Sequence, residues 1–353
     1  MSGGAHAGSL FGDSAVDRAM ERVAPVPPST EVRRVAGSLP AHVHLGTSSW
    51  AYPGWRGIVY SPRAPAAALA SDGLAAYAAW PLHRTVGLDR AFYATPSEAQ
   101  YRELAGLVPA DFRFTVKAEQ RVTRPYMAAD GSTFGDTGAL RARGTANPLF
   151  LDAAFLAGAV LAPAVAGLGE RLGPVVLQFP PLDLARGGAL GGAEAFLDRL
   201  AAFLGRVRTG GTPGPAVAVE VRNRELFRAP LARRYGDALR AAGCVHSFLQ
   251  HPTVPTVSEQ RTALEGAGGV PPGPIVVRWM LRAGTGYEAA ARAFEPFDRL
   301  LAPDEAVRHE VAALLAGCAA ARPGFVVINN KAEGSAVRSV QALAEAVAAQ
   351  VPG

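Results

Sequence analysis

The chain has 353 residues, 49% of them hydrophobic, with 35 basic against 30 acidic side chains and a formal net charge of +5. That is ample for one large α/β core or two ordinary ones, so the chain is globular. No run approaches the roughly 20 uninterrupted apolar residues of a spanning helix, and the mild basic excess forms no block, so neither a membrane role nor a general affinity for nucleic acid is required.

The first forty residues lack the basic start and apolar centre of a signal peptide, and Cys244 and Cys318 have no metal-site or disulfide spacing. A cytoplasmic location is the expectation. Of the 35 basic residues only Lys117 and Lys331 are lysines, which marks them as positions where a compact ammonium is wanted.

In chain order, residues 1–41 are rich in Gly, Ala, Ser and Pro and read as a flexible leader with one loose helical piece. Residues 42–350 read as one domain. Short apolar runs at 43–49, 85–91, 112–118, 175–179, 216–222, 245–249, 275–280 and 325–329 read as strands. Helical patterns fall at 74–80, 97–107, 149–161, 193–204, 231–242, 304–321 and 335–349. Strands alternating with helices imply parallel pairing and right-handed crossovers, and eight such units close most simply into a (β/α)8 TIM-type barrel. A doubly wound open sheet is the alternative, but no Gly-x-Gly-x-x-Gly follows the first strand. Two long connections, 119–173 and 250–273, are expected to lie over the C-terminal face, where active sites of this fold sit.

Period-two alternation then says what the strand ends present. On 216–222 it sends Ala218, Glu220 and Arg222 inward; on 112–117, Thr115 and Lys117; on 85–93, Gly87, Asp89 and Tyr93. Gln178, Arg278, Asn329, Asn330 and Lys331 end later strands, and Trp50 follows the first. The resulting rim has more cations than acids, which suits a small anionic ligand carrying phosphate or carboxylate. Lys117 and Glu220 are the candidate catalytic pair, with Trp50, Tyr93, Gln178, Arg222, Arg278, Asn329, Asn330 and Lys331 as candidate binding residues. An internal ion-pair lattice is the competing reading of Glu220 and Arg222. A metal-dependent phosphodiester hydrolase acting on nucleic acid would have to draw its ligands from Glu220, Asp89 and His246, too few with known direction, so no metal or cofactor is predicted. A non-catalytic anion-binding barrel is the third reading. The sequence does not set the oligomeric state.

The order of motifs resembles the YecE-like family, domain of unknown function 72, over about 43–346. The likeness is carried by Gly46-Thr47-Ser48-Ser49-Trp50-Ala51-Tyr52, Phe92-Tyr93-Ala94-Thr95-Pro96, Phe112-Arg113-Phe114-Thr115-Val116-Lys117, Leu177-Gln178-Phe179-Pro180-Pro181, Val219-Glu220-Val221-Arg222-Asn223, Arg278, Tyr287 and Ile328-Asn329-Asn330. The resemblance implies a TIM-type barrel and brings no activity with it. Departures fall at Gly87, where the family usually has Glu and the carboxylate here is either missing or moved two positions to Asp89, at Arg124 in place of His, and at Trp279-Met280 in place of Leu-His. Fewer histidines and acids weaken any metal or proton-relay chemistry.

Overall fold

The computed structural model describes residues 23–128, 144–208 and 214–350. Eight strands run β1 (Val43–Thr47), β2 (Thr85–Leu88), β3 (Arg113–Lys117), β4 (Leu172–Gln178), β5 (Val217–Glu220), β6 (Val245–Gln250), β7 (Ile275–Trp279) and β8 (Gly324–Ile328). Each pairs in parallel with its neighbours in the chain, and β8 pairs with β1 to close the ring. The alternation does what the sequence implies. Val217 and Val219 turn outward into the main core, while Ala218 joins Val176, Val245 and Val276 in a small apolar plug inside the barrel. Gly46 is needed where β1 meets β2, since a Cβ there would stand 1.8 Å from the Thr85 carbonyl oxygen.

Within the expected leader, α1 (Thr30–Ser38) buries Val32 and Val35, and the Arg84 guanidinium binds the carbonyls of Ala36, Leu39 and Pro40 beside it. From Val23 onward the described part of that segment is therefore packed on the barrel. Residues 1–22 lie outside the described residues.

The outer ring includes α2 (Leu69–Ala78), α3 (Glu98–Gly106), α4 (Ala162–Leu168), α5 (Ala193–Arg208), α6 (Leu231–Ala242), α7 (Val257–Gly266), α8 (Tyr287–Phe294), α9 (Glu305–Leu315) and α10 (Ala336–Ala348). Start signals are legible: Ser97 with Gln100 and Thr256 with Glu259 form capping boxes at α3 and α7. The α7 box corrects one expectation. Segment 250–273 is not spare mass over the mouth but an ordinary crossover, whose Gln260 bonds to His246 and Leu249. The helical stretch Ala153–Arg171 is long and apolar enough to cross a membrane by length and composition. Here it is the β3–β4 crossover, burying Leu156, Val160 and Ala164, with Gly167 close against Tyr101 of α3.

Candidate active site at the barrel mouth

Glu220 ends β5 and is fully buried. Its Oε2 accepts from Arg278 Nη1 at 2.6 Å, and its Oε1 accepts from Arg222 Nε at 3.2 Å. Arg278 Nη1 also donates to Gln178 Oε1 at 2.9 Å, while Nη2 faces both carboxylate oxygens of Asp89 at 3.4 Å. Register accounts for the grouping, because Gln178 lies opposite Glu220 and both point inward from their strands. Two guanidiniums and two carboxylates cancel in charge. Burial alone would raise the Glu220 pKa, yet Arg278 and Arg222 bring it down to about 2.

Lys117 is the fifth charge, with no opposite one left for it. It ends β3 half-buried, its Nζ stands 3.6 Å above the centroid of the Phe92 ring, and among the described residues it makes no hydrogen bond or ion pair. Burial pushes its pKa down to about 7; Asp89 and Glu220 pull it up, Arg278 and Arg222 further down. An amine in this state exchanges protons near neutral pH.

The structure treats the other expected site residues differently. Tyr93 is 56% exposed, and it is Phe92 that forms the wall under Lys117. Alternation does not extend to Tyr93, because β2 stops at Leu88 and a 3-10 turn, Asp89–Phe92, replaces the expected strand end. Trp50 is buried, bonding to the Ala70 carbonyl, with Arg90 over its ring. Asn329 donates to Ser48 Oγ; Asn330 is buried, its Oδ1 accepting from Trp55 and from the Ala336 amide at the start of α10. These two amides are tied to the scaffold. Lys331 stands apart from the ion pairs, over the rings of Tyr287 and Phe297.

His246 points outward between strand and helices, bonded to Tyr235 and Gln260, so it is a satisfied core histidine and not a ligand at the mouth. Among the described residues no three His, Cys, Asp or Glu side chains converge as a metal would need. Two residues escaped the sequence reading. Phe92 was legible only as half of a motif. His251, just beyond β6, feels Arg222, Glu220 and Arg278, and burial first, then Arg222, lower its pKa to about 4.

The departures also find a geometry. A Cβ at Gly87 would lie 3.1 Å from Val327 Cγ1 and 3.2 Å from the Ser48 Cα, so the neighbouring strands leave little room for a side chain there. Arg124 brings a second cation to the Phe92 ring, at 5.9 Å. Met280 is buried in the main core.

Burial likewise lowers His44 and His246 to about 4 and His83 to about 3, from 6.5. Because the folded values lie below the unfolded one, the unfolded chain takes up protons first as pH falls. Stability is therefore expected to drop from about pH 6.5 to about pH 4, by about 1.4 kcal/mol per histidine per pH unit at most. Urea midpoints at pH 7.5 and 5 measure it; equal midpoints would contradict the burial argument.

A closed ring of eight parallel strands with an ionised cluster at their carboxyl ends defines a TIM-type barrel protein with a polar mouth. The chain belongs to the family described as protein of unknown function DUF72, whose profile matches residues 44–353. A DUF72 family protein from Enterococcus faecalis superposes with a TM-score of 0.54 at 16% identity, over 88% of this chain and 97% of that one. One from Thermotoga maritima gives 0.50 at 21% identity, over 86% and 98%. At these identities the likeness shows the fold. No curated protein matches the chain in sequence.

Proposed function

We propose that this protein is an enzyme doing acid/base chemistry on a small anionic substrate, one bearing phosphate or carboxylate, at the carboxyl end of the barrel. The observation that carries the reading is Lys117: a half-buried amine on an aromatic face, with a pKa near 7 and, among the described residues, no ion-pair partner. Such an amine is a base at neutral pH, and a bound anion would raise its proton affinity at the moment a proton is to be taken.

Glu220 has a different part from the proton-carrying one first assigned to it. A carboxylate with a pKa of about 2, each oxygen engaged by a guanidinium, holds its charge at any working pH. It is a positioning residue that fixes Arg222 and Arg278 beside the amine. Of these, Arg222 is the more open to solvent, and so the better placed to meet the substrate's charge. The hydrolase reading is not carried further, because Asp89 and Glu220 are committed to Arg278 and His246 faces away.

The test is proton exchange. Carbonyl compounds bearing phosphate or carboxylate are incubated with the protein in deuterium oxide, and loss of the C–H signal is followed by NMR. Exchange with at least one compound, reduced about 100-fold or more in Lys117→Met, is the expected result. Compounds that bind yet exchange no faster than in buffer would leave a binding barrel. Trapping by borohydride on Lys117 would convert the base into an imine former.

A further inference from the structure

The second lysine has no explanation in the chemistry above. Lys331 follows β8 and is 5% exposed, yet among the described residues its ammonium has no hydrogen bond and no ion pair. Its Nζ lies 4.1 Å from the Tyr287 ring centroid and 5.7 Å from that of Phe297. Aromatic faces steer an ammonium but leave its donors unused, and a buried charge left without a counter-charge is costly. An anion is the partner that would use those donors and offset the charge.

What lies beside it suits an anion. Tyr287 is the first residue of α8, whose N-cap, Gly286, supplies no side-chain cap, so the first amides of that helix are open to a ligand. The approach is Arg282-Ala283-Gly284-Thr285-Gly286, with Gly284 at φ +72°, a conformation glycine adopts at no steric cost. The Arg282 amide bonds to the Lys331 carbonyl at 3.4 Å, joining the loops after β7 and β8. In barrels of this class, loops at that place together with the N-terminus of an extra helix recurrently take phosphate. Charge, compactness and exposed backbone donors favour the tetrahedral dianion over a planar carboxylate.

We propose that Lys331, loop 282–286 and the N-terminus of α8 form a phosphate-binding subsite, which takes the phosphoryl group of a phosphate monoester. This rests on the reading of the mouth as a substrate site only for the identity of the ligand's other end. Glu288, in the first turn of α8, opposes the bound anion and limits its affinity.

The probe is inorganic phosphate, with acetate as the carboxylate control, and the readout is the saturable rise in melting temperature of the full chain. In the wild type, phosphate is expected to raise the melting point and acetate to leave it unchanged at equal ionic strength. Lys331→Met should weaken the apparent phosphate affinity about tenfold or more, Glu288→Gln should tighten it, and Lys117→Met should leave it within about twofold. In case Lys331→Met does not fold, the wild type carries the test by itself: with its lysines carbon-13 methylated, the Lys331 signal, assigned in Lys117→Arg, should move saturably with phosphate. Phosphate stabilisation lost in Lys117→Met but kept in Lys331→Met would overturn the subsite and leave the acid/base reading standing. No saturable response to phosphate, or an equal response to acetate, would overturn the subsite as well. Absence of proton exchange in the earlier assay, with phosphate binding intact, would sink the acid/base reading alone.

Discussion

Glu220→Gln should cost about 3–5 kcal/mol of folding free energy, the largest loss expected from any change at the mouth. The substitution is isosteric and keeps one oxygen, so packing is nearly unchanged. What disappears is the negative charge shared by Arg278 at 2.6 Å and Arg222 at 3.2 Å. Arg278 is buried and, among the described residues, retains only Gln178 and the longer contact to Asp89. It would then be a charge in a dry site with half its compensation gone. Arg278→Met in the Glu220→Gln background should recover part of the loss, since removing both partners is far cheaper than removing one. The check is a double-mutant cycle by urea unfolding at pH 7. A single-variant loss under 1 kcal/mol would mean that water compensates these groups and that the lattice is not closed.

Lys117→Met should act in the opposite sense and make the protein more stable at pH 6. The folded pKa lies near 7 against an ordinary 10.5, so below pH 7 the folded state bears the whole cost of burying the ammonium. Between pH 7 and 10.5 the unfolded chain holds the proton more tightly, and wild-type stability rises with pH until the penalty is gone. The full shift corresponds to about 5 kcal/mol; relaxation and partial solvent access leave roughly 2–4 kcal/mol as the expected gain for Lys117→Met at pH 6. That gain should shrink toward zero by about pH 10.5. Unfolding curves of both proteins at pH 6, 8 and 10 measure it. A substitution that destabilises at every pH would show Lys117 to be a packing residue whose charge costs nothing, and the case for it as a base would fall with the result. A gain would instead show that burying the Lys117 ammonium costs folding stability.

The two predictions divide the mouth into a closed ion-pair cluster and an amine outside it. Glu220, Arg222, Arg278 and Asp89 close on one another, as the competing lattice reading of the sequence has it, and their charges sum to nothing. Lys117 and Lys331 both rest on aromatic rings, without ion pairs among the described residues. In a chain that uses arginine almost everywhere else, both surviving lysines stand where a compact ammonium lies bare.

Much of the fold was legible because its signals are local. Branched residues alternating with alanine on 217–220, the Ser97 and Thr256 caps, and helical spacing between strands depend only on neighbours along the chain, and they lead to eight parallel strands in a ring. Inward direction could be read for Lys117, Glu220 and Arg278 because each lies within its strand, where the period of two still holds. Past a strand end that period has no authority. Tyr93 lies outside its reach for this reason, as the 3-10 turn at Asp89–Phe92 rotates the chain by an angle alternation does not contain. Which charges pair, that Phe92 floors the amine, that His246 looks outward to Tyr235 and Gln260, and that Lys331 meets α8 were decided only when the ring closed. Those contacts join residues up to about 190 positions apart, such as Asp89 and Arg278, and their energies depend on burial, which no stretch of sequence contains by itself.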